Sequence, residues 1–184
     1  MPIRTPTLSL NRVCRQSPRV ALLALCAGLS TSCSTVDRNY QCSANAGDYS
    51  DHDFVMPATS SEITGQIAFK KVYPSSDWHP LARVVLSDRD SDRSTCRCDG
   101  IEASWYSSDP DYLSVTLSAN GNQVPLGRVP YDKPVTFKFT YKPDGELKLE
   151  VGTGVAIGTS SNLKRDRMTM SCSGADIDFN VHRN

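Results

Sequence analysis

The sequence has few of the residues and motifs on which nucleophilic hydrolysis and nucleotide chemistry depend. It contains three histidines, His52, His79 and His182, and no Gly-x-Ser-x-Gly motif. A serine or cysteine nucleophile needs an adjacent base, which is most often histidine. The Gly-rich phosphate-binding loop that ends in Gly-Lys-Ser/Thr is also missing. The sequence therefore argues against nucleophilic hydrolases and phosphate-loop enzymes.

The chain also lacks an excess of positive charge. Lysine and arginine number 20 together, as do aspartate and glutamate. Four arginines lie in the first 32 residues, which contain no acidic residue, so the rest of the chain has 16 basic and 20 acidic side chains. Binding to nucleic acid depends on a strong positive field that neutralises phosphates. We therefore expect no nucleic-acid partner.

No apolar run is long enough to cross a membrane as a helix, which takes about 20 residues. The longest run, residues 20–29, follows an arginine-containing start and precedes the small residues 30–32. A basic start, a short apolar stretch and small residues are typical of a secretory signal. Residues 1–32 are thus predicted to be a signal peptide on an exported protein.

The segment Leu29-Ser30-Thr31-Ser32-Cys33 resembles the lipobox of bacterial lipoproteins. That box has a large aliphatic residue three positions before the lipidated cysteine, whereas here Ser30 stands there and Leu29 is one position early. The resemblance implies a membrane anchor through lipid on Cys33. Because Ser34 follows, it also implies the outer membrane, facing the periplasm. Ordinary cleavage, giving a soluble periplasmic or secreted protein, is the alternative.

The cysteine count agrees with lipidation. Five cysteines follow residue 32, and a lipid on Cys33 leaves an even four, enough for two disulfides in an oxidising compartment. Cys96 and Cys98 are too close in sequence to meet easily in disulfide geometry on an extended strand. We expect each of them to pair with Cys42 or Cys172, in either order. Zinc is disfavoured because Cys-x-Cys lacks the usual ligand spacing and has no nearby histidine.

Alternation of apolar and polar residues dominates the chain after residue 60. It is clearest in residues 135–151, where two alternating segments flank a Pro-Asp-Gly turn. This pattern predicts an antiparallel hairpin with one buried and one solvated face. The core side chains would be Phe137, Phe139, Leu147 and Leu149, and the water-facing ones Lys138, Thr140, Lys148 and Glu150.

Eight or nine short strands of this kind, without a comparable helical period, predict an all-β protein. We expect an antiparallel β-sandwich of jelly-roll type, covering residues 61–184 and carrying two disulfides. Residues 33–60 are rich in Ser, Asp, Asn and Thr, and are expected to form a tether and an irregular segment.

The stretch from Tyr112 to Val151 and the closing Asp176-Ile-Asp-Phe-Asn-Val181 are similar to strands of concanavalin A-like lectin and glucanase jelly rolls. The resemblance implies the sandwich fold. It implies no activity, because the Glu-x-Asp-x-(x)-Glu signature of the glucanases does not occur in this chain.

Aromatic residues near predicted strand ends are the candidate ligand contacts. Trp78, Trp105 and Tyr106 would stack on sugar rings if their rings were exposed, and core packing is the alternative interpretation. Trp78 lies in the cluster Asp77-Trp78-His79.

Asp88, Asp90 and Asp92, with Asp99 eleven positions after the first, match carboxylate positions of a calcium loop. Arg93 occupies the place of the required glycine, so a solvated loop of paired Asp and Arg is favoured over calcium. No cofactor is expected.

The function predicted from these features is that of a non-catalytic envelope lipoprotein that binds a glycan or another envelope protein. A wall-glycan hydrolase is one alternative, with a carboxylate pair drawn from Glu62, Asp77 or Glu102. A periplasmic inhibitor or immunity-type protein is the other.

Overall fold

A computed structural model of the chain describes residues 36–56, 62–89, 98–142, 146–159 and 165–183. The predicted signal peptide and the lipobox with Cys33 lie outside these residues. Within the described ranges, all regular secondary structure is β-strand. No helix among these residues has the length and apolar character to span a membrane.

The described residues form strands whose bounds are, in chain order, β1 (Val36–Ser43), β2 (Tyr49–Val55), β3 (Glu62–Val72), β4 (Leu81–Ser87), β5 (Asp99–Tyr106), β6 (Asp109–Ala119), β7 (Asn122–Pro130), β8 (Val135–Tyr141), β9 (Glu146–Val151), β10 (Gly154–Thr159), β11 (Arg167–Ser173) and β12 (Ala175–Arg183). They form two six-stranded sheets. Sheet 1 has the order β1-β12-β3-β8-β9-β10, and sheet 2 has the order β2-β11-β4-β5-β6-β7. Neighbouring strands are antiparallel in both sheets.

The core lies between the two sheets and is built mainly from alternate side chains of their inner strands, because the edge strands β2 and β7 have no fully buried residue. In β12 buried and partly buried positions alternate along the whole strand, and β6 alternates in the same way from Leu113 to Ala119. The largest fully buried side chains come from both sheets and include Phe137, Phe139 and Phe179. Since successive side chains on a strand point to opposite faces, each sheet contributes one apolar face to this core. The predicted all-β antiparallel sandwich is confirmed.

The hairpin predicted over residues 135–151 is present as β8 and β9, paired in register from Phe137↔Val151 to Tyr141↔Leu147. All four predicted core residues of this hairpin are at most 1% exposed. The four predicted water-facing residues lie on the outer face and are partly exposed. Two lysines there form ion pairs, Lys138 with Glu62 at 2.6 Å and Lys148 with Glu150 at 2.7 Å.

The prediction of an irregular segment over residues 33–60 is wrong for two stretches. Residues 36–43 form β1 and residues 49–55 form β2, the edge strands of sheet 1 and sheet 2. The alternation in β1 is concealed because two of its partly buried positions hold Arg38 and Tyr40, amphipathic residues that do not stand out as a core pattern.

A disulfide joins Cys42 of β1 to Cys172 of β11, with their Cα atoms 6.0 Å apart. The predicted pairing of these two cysteines with Cys96 and Cys98 is therefore wrong. The reason lies in side-chain direction, because Cys42 and Cys172 are both buried in the core, whereas Cys98 lines the outer surface of sheet 2. Cys98 is itself disulfide-bonded, and Cys96 lies outside the described residues.

Substitution in the β8–β9 hairpin tests this arrangement. Phe139→Ala should lower the free energy of unfolding by about 3–5 kcal/mol, because it removes a fully buried ring and leaves a cavity. Lys148→Ala, on the outer face of the same hairpin, should change it by no more than about 0.5 kcal/mol. Equal losses in urea denaturation would contradict the assignment of faces.

Candidate functional site

The outer face of sheet 2 contains a groove of about 300 Å³. All six strands of the sheet contribute to its lining. The polar side chains in that lining include Tyr49, Asp51, Arg83, Glu102, Thr116 and Gln123. A polar, concave surface of this extent on one sheet face is the principal candidate for a ligand site.

Strand register places the groove residues in rows that run across the sheet. One row joins Asp51, Ser171, Arg83, Glu102 and Thr116 on five successive strands. The next row along the strands joins the residues two positions away, among them Thr169, Val85, Gly100 and Ser118. These positions share a face because the side-chain period of a strand is two residues.

The charged side chains of the groove are held by hydrogen bonds. Arg83 Nε donates to Glu102 Oε2 at 2.6 Å, and Ser104 Oγ donates to Glu102 Oε1 at 3.0 Å. Arg167 Nε donates to Ser87 Oγ at 2.8 Å. Charge-assisted bonds of this kind fix the orientation of the guanidinium and carboxylate groups. The groove therefore presents both donors and acceptors in defined positions.

Small side chains form the floor of the groove. Ser87 and Ser171 face outward from sheet 2 and yet are each only 1% exposed. Ser171 Oγ has no hydrogen-bond partner within the described part of the chain. At Gly100 a Cβ atom would lie 2.7 Å from the Val84 carbonyl oxygen, so β4 and β5 approach each other here as only glycine allows. The longer side chains around this floor form the walls.

A second concavity of about 220 Å³ lies at one end of the sandwich, between the β3–β4 connection and the β5–β6 turn. We call it the end pocket. Trp78 is 46% exposed there and Tyr106 is 38% exposed, and the His79 ring stacks on Tyr106 with centroids 4.7 Å apart. The structure thus brings Trp78 and Tyr106 together. Trp105 also lines this pocket but is 8% exposed and packs in the core, as the alternative interpretation has it, with its Nε1 donating to Pro110 O at 3.0 Å.

The acidic residues considered for calcium have other partners. Asp88 Oδ1 accepts a hydrogen bond from Arg165 N at 3.0 Å. Asp99 is fully buried, 3.7 Å from Arg165 Nε. Asp90 and Asp92 lie outside the described residues. Among the residues that are described, no group of three or more His, Cys, Asp or Glu is placed to hold a metal ion.

Two clearly shifted pKa values belong to groups that do not line the groove. Burial, followed by the negative charge of Asp99, raises the pKa of Tyr141, whose ring lies 3.8 Å beneath the Arg165 guanidinium. Hydrogen bonds from Ser43 and then Tyr73 lower the pKa of Asp176. Both shifts follow from local packing and hydrogen bonding at the ends of strands.

The three carboxylates proposed for a hydrolase lie in different parts of the structure. Glu62 lies on the outer face of sheet 1, where it pairs with Lys138, while Glu102 lies in the groove on sheet 2. Asp77 lines the end pocket. Because Glu62 and Glu102 are on opposite outer faces of the sandwich, a catalytic pair made of these two is excluded.

Sequence reasoning missed most of the groove, including Tyr49, Asp51, Arg83 and Arg167. One signal was available in β11, where Thr169, Ser171 and Ser173 occupy the outward positions. Outward positions on the β8–β9 hairpin carry mainly lysine and glutamate instead. Short hydroxyl side chains at successive outward positions indicate a surface that is recessed.

The sequence matches no protein-family model and no curated protein. The carbohydrate recognition domain of Emp46p, in its metal-free form, matches the structure with a TM-score of 0.50 and 11% sequence identity, over 82% of this chain and 86% of that one. The carbohydrate-binding module CBM66 from Bacillus subtilis matches with a TM-score of 0.43 and 13% identity, over 76% and 81% of the two chains. The β-glucanase of Bacillus licheniformis has a TM-score of 0.46 and 9% identity, over 80% and 78%.

The fold is the concanavalin A-like jelly roll. At 11% identity the likeness to the Emp46p domain shows the fold alone.

Two serines of β11 provide a test of the groove floor. Ser171→Ala should leave the free energy of unfolding unchanged or slightly higher, because a buried hydroxyl without a partner is removed. Ser173→Ala should lower it by about 0.5–1.5 kcal/mol, because Ser173 Oγ donates to Asp48 O at 2.7 Å. Chemical denaturation of both variants measures the difference, and a larger loss for Ser171→Ala would contradict the described floor.

Proposed function

We propose that this protein is a non-catalytic glycan-binding module whose ligand lies in the groove on sheet 2. The observation that carries the proposal is the lining of the groove, which combines hydroxyl, amide, guanidinium and carboxylate groups with one exposed tyrosine ring. A carbohydrate offers many hydroxyl groups that both donate and accept hydrogen bonds, together with apolar C–H faces. The groove is complementary to both features.

The Arg83–Glu102 pair is central to this complementarity. Glu102 accepts bonds from Arg83 and Ser104, and in this arrangement the pair exposes donor and acceptor atoms side by side. Opposite charges in contact produce no strong net field, so the row suits a neutral polyhydroxylated chain better than a strongly charged one. Tyr49, which is 55% exposed at the β2 side of the groove, supplies an aromatic surface for an apolar sugar face.

The hydrogen bonding of Glu102 favours binding over hydrolysis. Asp51 and Glu102 lie in one row but three strands apart, so their Cα atoms are separated by about 14 Å at ordinary strand spacing. Glycosidases place their two carboxyl groups about 5 Å or about 6.5–9.5 Å apart, so Asp51 and Glu102 would reach the longer distance only if both side chains turned toward each other. Glu102 is also engaged by Arg83 and Ser104 and is not directed at a second carboxylate.

The fold supports the proposal without determining it. The Emp46p domain that shares the fold is a carbohydrate recognition domain. A protein ligand, as for an inhibitor or immunity-type protein, would be expected to meet an apolar patch in the interface core. The groove instead has a floor of serine and glycine and polar walls, which favours the glycan.

We further propose that the module works in the cell envelope, held at the outer membrane by lipid on Cys33. The support comes from the sequence alone, namely the basic start, the short apolar run and the resemblance to a lipobox. A glycan-binding module in this position would face wall polymers in the periplasm.

The glycan proposal is tested by removing the aromatic ring from the groove. Tyr49→Ala should weaken binding to immobilised wall-derived and other oligosaccharides about tenfold, or about 1.4 kcal/mol. Tyr112→Ala is the matched control, because Tyr112 is 42% exposed and does not line the groove. Binding of the two variants and the native protein is measured on a glycan array and by calorimetry.

Three results would count against the proposal. Equal binding by Tyr49→Ala and Tyr112→Ala would place the ligand elsewhere. Release of shorter sugars from a bound oligosaccharide would identify a hydrolase. Failure to bind any glycan, combined with stable capture of a hydrolase from envelope extract, would favour the inhibitor alternative.

The anchor is tested independently. Cys33→Ser should move the protein from the detergent phase to the aqueous phase in a phase-partition experiment, because two acyl chains provide enough buried CH₂ for stable attachment. Appearance of the unaltered protein in the aqueous phase would disprove lipidation and leave the soluble, exported form.

A further inference from the structure

The end pocket lies beyond one end of the groove along the same two strands, β4 and β5. Along β4 and β5, outward residues pair in successive rungs, with Arg83 opposite Glu102 in the groove and Leu81 opposite Ser104 in the next rung. Trp105 N donates to Pro80 O at 2.9 Å, so the ladder continues past the end of β4. The following rung is His79 and Tyr106, which stack on each other.

This ladder places the end pocket beyond the groove along β4 and β5. Tyr106 and Glu102 are four residues apart on β5, which corresponds to about 13 Å of extended strand. This distance is greater than the width of one hexose ring, so a ligand that reaches both sites must contain several linked units.

The row of outward residues between the two sites is buried. Leu81, Ser104 and Ser173 lie in one outward row across β4, β5 and β11. All three are buried, although their strand positions point away from the core. Neighbouring groups therefore cover this row, since Ser173 Oγ donates to Asp48 O at 2.7 Å and Ser104 Oγ donates to Glu102 Oε1 at 3.0 Å. A ligand that reaches both sites would pass over these covering groups.

The end pocket has the chemistry of a stacking site for a sugar. One face of the Tyr106 ring is covered by His79, which fixes the orientation of both rings. Trp78 is nearly half exposed and lies in a turn held by Ser75 N donating to Trp78 O at 3.3 Å. Asp77 and the serines of the two loops surround the rings with hydrogen-bonding groups.

We infer that the end pocket is a second subsite for the same glycan chain, running along β4 and β5 from the Arg83–Glu102 row to the rings of Trp78 and Tyr106. This inference rests on the proposed function of the groove. Its consequence is selectivity for length. A linear oligosaccharide that spans both sites gains the stacking contact, whereas a shorter one occupies the groove alone.

The experiment measures affinity against chain length. Calorimetry is performed with β-1,4-linked oligomers of glucose and of N-acetylglucosamine, each from the disaccharide to the hexasaccharide. The hexasaccharide should bind the native protein about tenfold more tightly than the disaccharide. Trp78→Ala and Tyr106→Ala should each remove most of that gain and leave disaccharide affinity unchanged.

Two further variants separate stacking from structural effects. Tyr106→Phe keeps the ring and should retain the gain with length. Ile157→Ala removes an exposed apolar side chain from sheet 1 and should alter neither affinity. Thermal melts of all four variants show whether each variant is folded at the temperature of the binding measurements.

The outcomes distinguish this inference from the proposed function. A gain with length that persists in both Trp78→Ala and Tyr106→Ala, or affinity that is equal for all lengths, would overturn the second subsite and leave the groove as a glycan site. Absence of binding to every oligomer of both series would overturn the proposed function and the second subsite together.

Discussion

The burial of one face of each sheet against the other is the constraint on which the rest of this structure depends. Alternate side chains of the inner strands are committed to the core, from Phe137 and Phe139 in sheet 1 to Leu113 and Leu117 in sheet 2. A shift of one residue in any register would exchange apolar for polar side chains across the sheet. The outward positions are therefore fixed in space by the core, and they can be occupied by residues that contribute little to stability.

The outward positions of the two sheets carry different kinds of side chain. Sheet 1 carries long charged side chains in cross-strand pairs, such as Lys138 with Glu62, which cover its surface and keep it solvated. Exposed pairs of this kind contribute little to stability. Sheet 2 carries short hydroxyl side chains and a glycine along β11 and β5, flanked by arginine, glutamate and tyrosine. The difference in side-chain length, more than any difference in backbone order, makes sheet 2 the face with a groove.

Much of the fold could be predicted from sequence because period-two alternation is a local signal. It located the β8–β9 hairpin and its buried residues. It failed for β1, where partly buried positions hold Arg38 and Tyr40. The site was harder to predict from sequence, because the row from Asp51 to Glu102 joins four strands that are far apart in the chain. These strands become neighbours only through the sheet topology. The cysteine pairing depended on the same topology. The burial of Trp105 follows from the local pattern, since Trp105 continues the alternation of the buried Ile101 and Ala103 on β5.

The disulfide between Cys42 and Cys172 has a mechanical consequence. β1 is the first described strand, and only residues 36–41 of it precede Cys42. A pull on the chain before β1 could peel these few residues from β12, after which the load would pass through the covalent bond to β11. Cys172 is adjacent to Ser171 in the floor of the groove. Tension between the amino-terminal end and anything held in the groove would thus travel along a covalent path, bypassing most of the hydrogen-bonded sheets.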